Sequence, residues 1–394
     1  MRLNRYHPYL LILLVFFCTI NSCGNGESAN PYDEPQKVLL DPDIPGKLEL
    51  LEIVDTVYYI ALETSDVSSV GSISKIVFTK DRIFIGDFNN TKAIYCFNTT
   101  GAFLFKIQNT GKAPGEYARL NDFDVDAESE RVIVHDSRLK AFLLYDFSGH
   151  FISRYVHGYL FESFSFLDKE NVIAYSAYIA NPSIPKSPNS NILVFNYTTG
   201  KIVETLLQYD EKLMLEMKVL GLINNISAGG DTIYIYDYYT NTIYSYENNT
   251  FSEEWLVDFG GKGIPKAFWS GASFDEHTDA IDEGRYIGGL INYQVAGKWI
   301  FGYYPSKDKS NMFIYNTEEN SLFRINQIAS MNKSGFPIIL IPPFHTDGQN
   351  LVTCIEPVWI IKLIENESKA INMPEAFKKV DINSNPILQI IKLK

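Results

Sequence analysis

Cysteine is scarce in this chain, with four residues among 394, at Cys18, Cys23, Cys96 and Cys354. So few exclude a small scaffold built on disulfides. Histidine is equally thin: His135, His150, His157, His277 and His345 each stand alone, and no Ser-His-Asp order around a nucleophile elbow can be read. Positive charge is in deficit as well. The 34 Lys and Arg face 47 Asp and Glu, giving a net charge of −13 with no basic cluster to offset it, which argues against a nucleic-acid partner. Long apolar runs are also missing. The stretch Tyr9 to Ile20 is shorter than the ~20 residues a membrane-spanning helix needs.

That short run is nevertheless informative in its setting. Arg2 and Arg5 precede it and Ile20-Asn21-Ser22-Cys23 closes it, the order of a secretory signal ending in a bacterial lipobox. Cys23 is then the first mature residue and the point of acylation, and several acyl chains on it would anchor the protein stably to a membrane. Residues 1–22 are expected to be a lipoprotein signal peptide, 23–47 a flexible tether rich in Gly, Ser, Asn, Pro and acidic residues, and 48–394 a single domain. With Cys18 removed and Cys23 acylated, Cys96 and Cys354 read as buried thiols within apolar strands.

The domain is built by repetition. Phe97, Tyr145, Phe195 and Tyr246 each close a β-patterned run, and they lie 48, 50 and 51 positions apart; Tyr315 follows after 69, an insertion in a regular array. Such a period is the mark of a β-propeller. Each aromatic ends a third strand, a turn rich in Asn, Asp and Gly follows, and a fourth strand runs out from it, for example Phe103 to Ile107. Second strands lie upstream, three of them ending in an aspartate: Asp87, Asp136 and Asp237. Weaker first strands include Ile73 to Phe78 and Leu222 to Ile226. An open ring would expose two sheet edges. The sixth blade is therefore expected from both ends of the domain, with Phe344 to Glu356 giving two strands, Ile387 to Leu393 a third and Val57 to Leu62 the fourth. The expected fold class is all-β, a six-bladed propeller of four-stranded antiparallel blades, with a short helix at Pro374 to Lys379.

With the blades assigned, Gly111-Lys112-Ala113-Pro114-Gly115-Glu116-Tyr117, the following Asp122 to Asp126, Val57 to Glu63 and the closing Asn385-Pro386-Ile387-Leu388 resemble the six-bladed propeller lipoproteins of Bacteroidota, relatives of NHL-repeat and TolB-like propellers. The resemblance implies the fold, lipid anchoring and attachment to the outer membrane, and carries over no catalytic residue. Ala113 departs from the family's usual Gly.

Connections after second and fourth strands share one face of a propeller disc, and here that face holds every long segment, so a binding surface is expected at its channel mouth. Asp87, Lys112, Glu116, Tyr117, Arg119, Asp136, Asp237, Trp269, Tyr303 and Tyr304 are the candidates, because exposed rings beside charges suit glycans or peptides. The three aspartates read first as acceptors for backbone N–H groups at strand ends. Gly111 to Tyr117 lacks the Ser or Thr and the helix of a phosphate loop, and is expected, like Gly261 to Pro265, to be a shaped connector. Asp275, His277 and Asp279 in the insertion offer a weak metal set, otherwise a solvated acidic loop. Two functions are carried forward. One is a lipid-anchored, monomeric module binding a small ligand, glycan, peptide or partner protein. The other is a metal-dependent hydrolase or lyase with a cation such as calcium in the central channel.

Overall fold

Second and third strands throughout this chain are near-continuous apolar runs, while fourth strands alternate, and the computed structural model shows why. It describes residues 34–46, 50–211, 225–269, 271–307, 309–325, 329–331, 337–366 and 374–394. The expected signal peptide, Cys23 and the tether as far as residue 33 lie outside the described residues.

Six antiparallel sheets stand around an axis. Blade one is Lys75–Phe78, Arg82–Asp87, Ala93–Asn98 and Phe103–Ile107; blade two is Leu120–Asp126, Arg131–Asp136, Ala141–Asp146 and Phe151–Val156. Blade three is Ser163–Phe166, Asn171–Tyr175, Ser190–Asn196 and Ile202–Gln208; blade four is Ile226–Gly229, Thr232–Asp237, Thr242–Glu247 and Thr250–Asp258. Blade five is Asn292–Ala296, Trp299–Ser306, Lys309–Asn316 and Ser321–Ile325. Blade six takes His345–Thr346, Leu351–Ile355 and Ile387–Leu393 from the C-terminal side and Val54–Ala61 from the N-terminal side, as expected. The first strands of successive blades adjoin one another around the axis, and that of blade six returns to that of blade one. Second and third strands are sandwiched between neighbouring blades and so are apolar on both faces, as Ile83 to Ile85, Val132 to Val134 and Ile192 to Phe195 are. Outer strands meet solvent on one face, which explains the alternation in Ser321–Ile325.

Local chemistry fixes the repeat. In blades one to three the register between third and fourth strands shifts beside the anchoring aromatic, at Phe97, Tyr145 and Phe195, a bulge that increases the twist of the outer strand. The next residue caps the turn. Asn98 Oδ1 accepts the N–H groups of Thr100 and Ala102, Asp146 those of Ser148 and His150, and Asn316 those of Glu318 and Glu319, all at 2.8–3.0 Å. Gly101 must be glycine: its φ is +88°, and a Cβ there would lie 2.0 Å from Ala61 O in blade six. Closure is knitted by Asn385, whose Oδ1 accepts Val70 N–H at 2.8 Å while its Nδ2 donates to Glu63 O and Ser68 O. The Asn-Pro-Ile-Leu ending thus ties the last strand to the chain leaving Val54–Ala61.

The structure departs from the sequence expectations at several points. The end of the supposed tether is part of the disc: Gln36–Leu39 adds a parallel fifth strand to Thr250–Asp258, and Val38 and Leu40 are fully buried between blades four and five. Apolar Val38-Leu39-Leu40 stops this stretch from staying solvated. Blade four's first strand is Ile226–Gly229, later than expected, and residues 222–224 lie outside the described residues. The insertion is not a loop but two helices, Lys266–Trp269 and Phe274–Asp282, the second opened by a capping box in which Ser273 and Glu276 exchange hydrogen bonds. A further helix, Pro357–Asn366, lies between the second and third strands of blade six, whereas the expected helix near Pro374 is a single 3-10 turn, Glu375–Phe377. Cys96 is buried and Cys354 partly so, both unpaired.

Candidate functional site

Three aspartates end second strands in phase, and each is consumed by the scaffold. Asp87 is fully buried; its carboxylate accepts the N–H groups of Gly71 and Ser72 from the incoming connector and of Asn89, Asn90 and Thr91 from the outgoing turn. Burial alone would raise its pKa, but these bonds hold it below the ordinary carboxylate value. In blade two Asp136 accepts the N–H groups of Ala118, Arg138 and Leu139. Asp237 accepts from Thr240 N–H, Tyr178 O–H and Asn191 Nδ2. As acceptors for backbone N–H groups they behave as expected; as ligand contacts they are placed out of reach.

Other candidates are also drawn inward. Tyr117 is buried between blades one and two, its hydroxyl donating to Lys92 O at 2.5 Å. Tyr304 is buried and donates to Leu40 O, and Trp269 is buried against the His277 ring at 4.9 Å. Large rings with a carbonyl or ring partner lose less inside than at the rim. Asp275 and Asp279 are exposed on one side of their helix while His277 is buried on the other, so the three do not converge, and among the described residues no group of three or more His, Cys, Asp and Glu could hold a metal ion. Lys112 is exposed, and Glu116 folds back to accept Ala113 N–H at 3.0 Å. The loop Gly111 to Tyr117 is closed by a parallel bridge between Thr110 and Tyr117; Gly263 and Ile287 make the same bridge, with the helical insertion spliced between them. Both are connectors.

Arg119 and Tyr303 do reach the axis. They line a cavity of about 1050 Å³ that opens on the long-loop face, together with Ser74, Lys75, Phe88, Asn89, Lys92, Asn121, Asp122, Arg138, Glu162, Ser163, Asn292 and His345. Below it a second cavity of about 680 Å³ opens on the tight-turn face and carries Asp124, Asp168, Asp231, Glu247 and Asp347. Lys75 and His345 border both. At this waist Lys75 Nζ lies 3.0 Å from Asp122 Oδ1 and 5.6 Å from the Phe164 ring centre, while Asp122 Oδ2 accepts Phe164 N–H. Burial pushes the Asp122 carboxyl above its ordinary range against the pull of Lys75.

Polar side chains on first strands stitch the wall. Asp124 accepts from Ser165 Oγ and Phe166 N–H, Gln294 from Ser227 Oγ, and Asn292 Oδ1 from Phe344 N–H. Among the described residues, two buried polar atoms of residues bordering the loop-face cavity have no partner: Ser163 Oγ and His345 Nε2, on side chains 7% and 4% exposed. Burial holds the His345 pKa down at about 4, so its ring is neutral near pH 7. Sequence reasoning missed Lys75, Lys92, Arg138, Ser163 and His345 as wall residues. The available signal was phase: Arg138 lies in the turn that Asp136 holds and Lys92 follows directly on the turn that Asp87 holds.

No helix among the described residues is long and apolar enough to cross a membrane. Among curated proteins none matches the chain. In solved structures the fold is similar to that of a candidate exported protein of Bacteroides fragilis, at 16% identity and a TM-score of 0.71, covering 92% of this chain and all of that one. A DUF4221 protein of Bacteroides vulgatus also aligns, at 10% identity and a TM-score of 0.46 over 87% of this chain and 98% of that one. Residues 40–392 match the model of the "Domain of unknown function (DUF4934)", and the chain belongs to that family.

Proposed function

We propose that this protein is a lipid-anchored, extracytoplasmic binding module whose ligand enters the channel from the long-loop face. The observation that carries this function is the loop-face cavity, bordered by Ser163 and His345, whose Oγ and Nε2 are buried without hydrogen-bond partners. A buried polar group left unpaired costs about 1–3 kcal/mol, a cost that a ligand supplying hydrogen bonds removes. Arg2, Arg5, the apolar run and Cys23 support export and acylation, and the likeness to a protein described as exported supports export. A cation in the channel would meet the Lys75 ammonium at the waist, which favours binding over metal-dependent hydrolysis.

Thermal-shift screening of the full-length protein with glycan and peptide panels tests the site. A ligand that raises the melting temperature should lose its effect in Tyr303→Ala, with the unliganded melting temperature nearly unchanged, and keep it in Glu247→Ala on the opposite face. The reverse pattern would place the site at the tight-turn end and sink the proposal. Anchoring is tested separately: labelled palmitate should be incorporated into the wild type and not into Cys23→Ala.

A further inference from the structure

The loop-face mouth is basic on a protein whose net charge is −13. Lys75 and Asp122 neutralise each other at its floor, leaving Lys92, Arg119 and Arg138 against a single carboxylate, Glu162. None of the three cations has an ion pair or side-chain hydrogen bond within the described residues. Like charges repel and each guanidinium offers five donors, so two unpaired arginines beside an unpaired lysine at one cavity mouth favour an anionic ligand.

Their placement is built. The Asp136 carboxylate accepts Ala118 N–H with one oxygen and Arg138 N–H and Leu139 N–H with the other, so the backbone beside Arg119 and that of Arg138 are held to one buried group. Asp87 likewise fixes the turn Asn89 to Thr91 that leads into Lys92. Two blades thus present three positive side chains along one arc of the mouth. Ser163 of blade three and His345 of blade six flank this arc on its two sides, and Tyr303 of blade five stands across the channel.

We infer that the ligand of this mouth is an oligosaccharide bearing carboxylate groups. The inference rests on the mouth being the binding site and adds the chemistry of what binds there. Arginine forks match carboxylates in two parallel bonds, while Ser163, Asn89 and His345 suit hydroxyls and the Tyr303 ring suits a pyranose face. A peptide is less well served where first-strand N–H groups already have side-chain acceptors, as Phe164 has in Asp122 and Phe166 in Asp124.

Calorimetric titration of the full-length protein with uronate-bearing, sialate-bearing and neutral oligosaccharides of matched length, and with tetraglutamate, decides the matter. At least one acidic oligosaccharide should bind ten times or more tighter than its neutral counterpart, and Arg119→Gln and Arg138→Gln should each weaken it by about tenfold without moving the melting temperature. Neutral sugars binding equally well, with Tyr303→Ala abolishing them and the arginine variants inert, would overturn the inference and leave the site standing. Tetraglutamate binding more tightly than every sugar would overturn the glycan class. If no acidic sugar binds the folded protein at millimolar concentration, the inference falls.

Discussion

Acidification is expected to open the interface between blades two and three well before carboxylates are protonated. His135 is fully buried with its ring stacked on Phe161 at 4.0 Å, and His157 lies 5.5 Å away. His157 Nδ1 accepts Tyr159 N–H at 3.0 Å, so the ring is neutral, and neither His135 nitrogen has a partner. Burial holds His157 down at about 3 and His345 at about 4, and drives His135 well below 6.5. Folded-state values lowered from 6.5 mean that the unfolded chain binds more protons below that pH. Stability is therefore full above pH 6.5 and is lost as pH falls toward 3–4. Each such histidine contributes a slope approaching 1.36 kcal/mol per pH unit, so three together remove about 4 kcal/mol by pH 5.5 and about 8 by pH 4.5. That compares with a typical stability of about 5–15 kcal/mol. Urea midpoints followed by circular dichroism at pH 7.5, 6.5, 5.5 and 5.0 measure the loss. His135→Phe keeps the stack, deletes one titrating group and should retain about 2 kcal/mol more than the wild type at pH 5.0. Parallel decline of the two proteins, or a wild-type midpoint flat down to pH 5.0, would refute the reasoning.

Leu40→Ala should lower stability by about 2–5 kcal/mol, because Leu40 is wholly buried where the N-terminal strand crosses from blade four to blade five; an unchanged urea midpoint would show that this strand is dispensable. Gly101→Ala meets both a φ of +88° and the Ala61 carbonyl at 2.0 Å, so a loss of at least about 1–3 kcal/mol is expected from melting curves, whereas Gly158→Ala, also at positive φ but with nothing near its Cβ, should cost less. Asp136→Ala strips the acceptor from three backbone N–H groups and should cost about 3 kcal/mol while sharply weakening any anionic ligand; preserved binding would detach the arginines from that carboxylate.

The blades were legible because each repeats the same local solution. An apolar run closed by an aromatic and followed by a polar turn recurs about every fifty residues, with a bulge at that aromatic in blades one to three, and closure by both chain ends followed from the cost of open edges. Helices were less visible, since an Asp- and Glu-rich stretch looks solvated; yet Ser273 and Glu276 stand at capping-box spacing, and Pro357 opens an apolar stretch at a favoured first position. The mouth was largely hidden. Trp269, Tyr117 and Tyr304 were expected at the rim and lie inside, because sequence shows that a ring is near a loop but not which way it turns. Lys75, Lys92, Arg138, Ser163 and His345 come from blades one, two, three and six, and no spacing along the chain records that they share a wall.

Charge along the axis explains why one end of the channel and not the other suits a ligand. On the tight-turn side Asp168 and Asp347 already hold Asn171 and Asn350 and their neighbouring N–H groups, so these carboxylates are spent on turns. At the waist between the cavities stands the Lys75 and Asp122 pair, with the ammonium over the Phe164 ring. Above it the cations carry no structural duty. At physiological salt, fields fade within about 8 Å, so the surplus negative charge elsewhere on the disc is largely screened from the mouth while Lys92, Arg119 and Arg138 act at contact range. An acidic protein can therefore hold an anion at a site that its overall charge would seem to forbid, provided that the cations are fixed locally and left unpaired, as the buried Asp87 and Asp136 arrange.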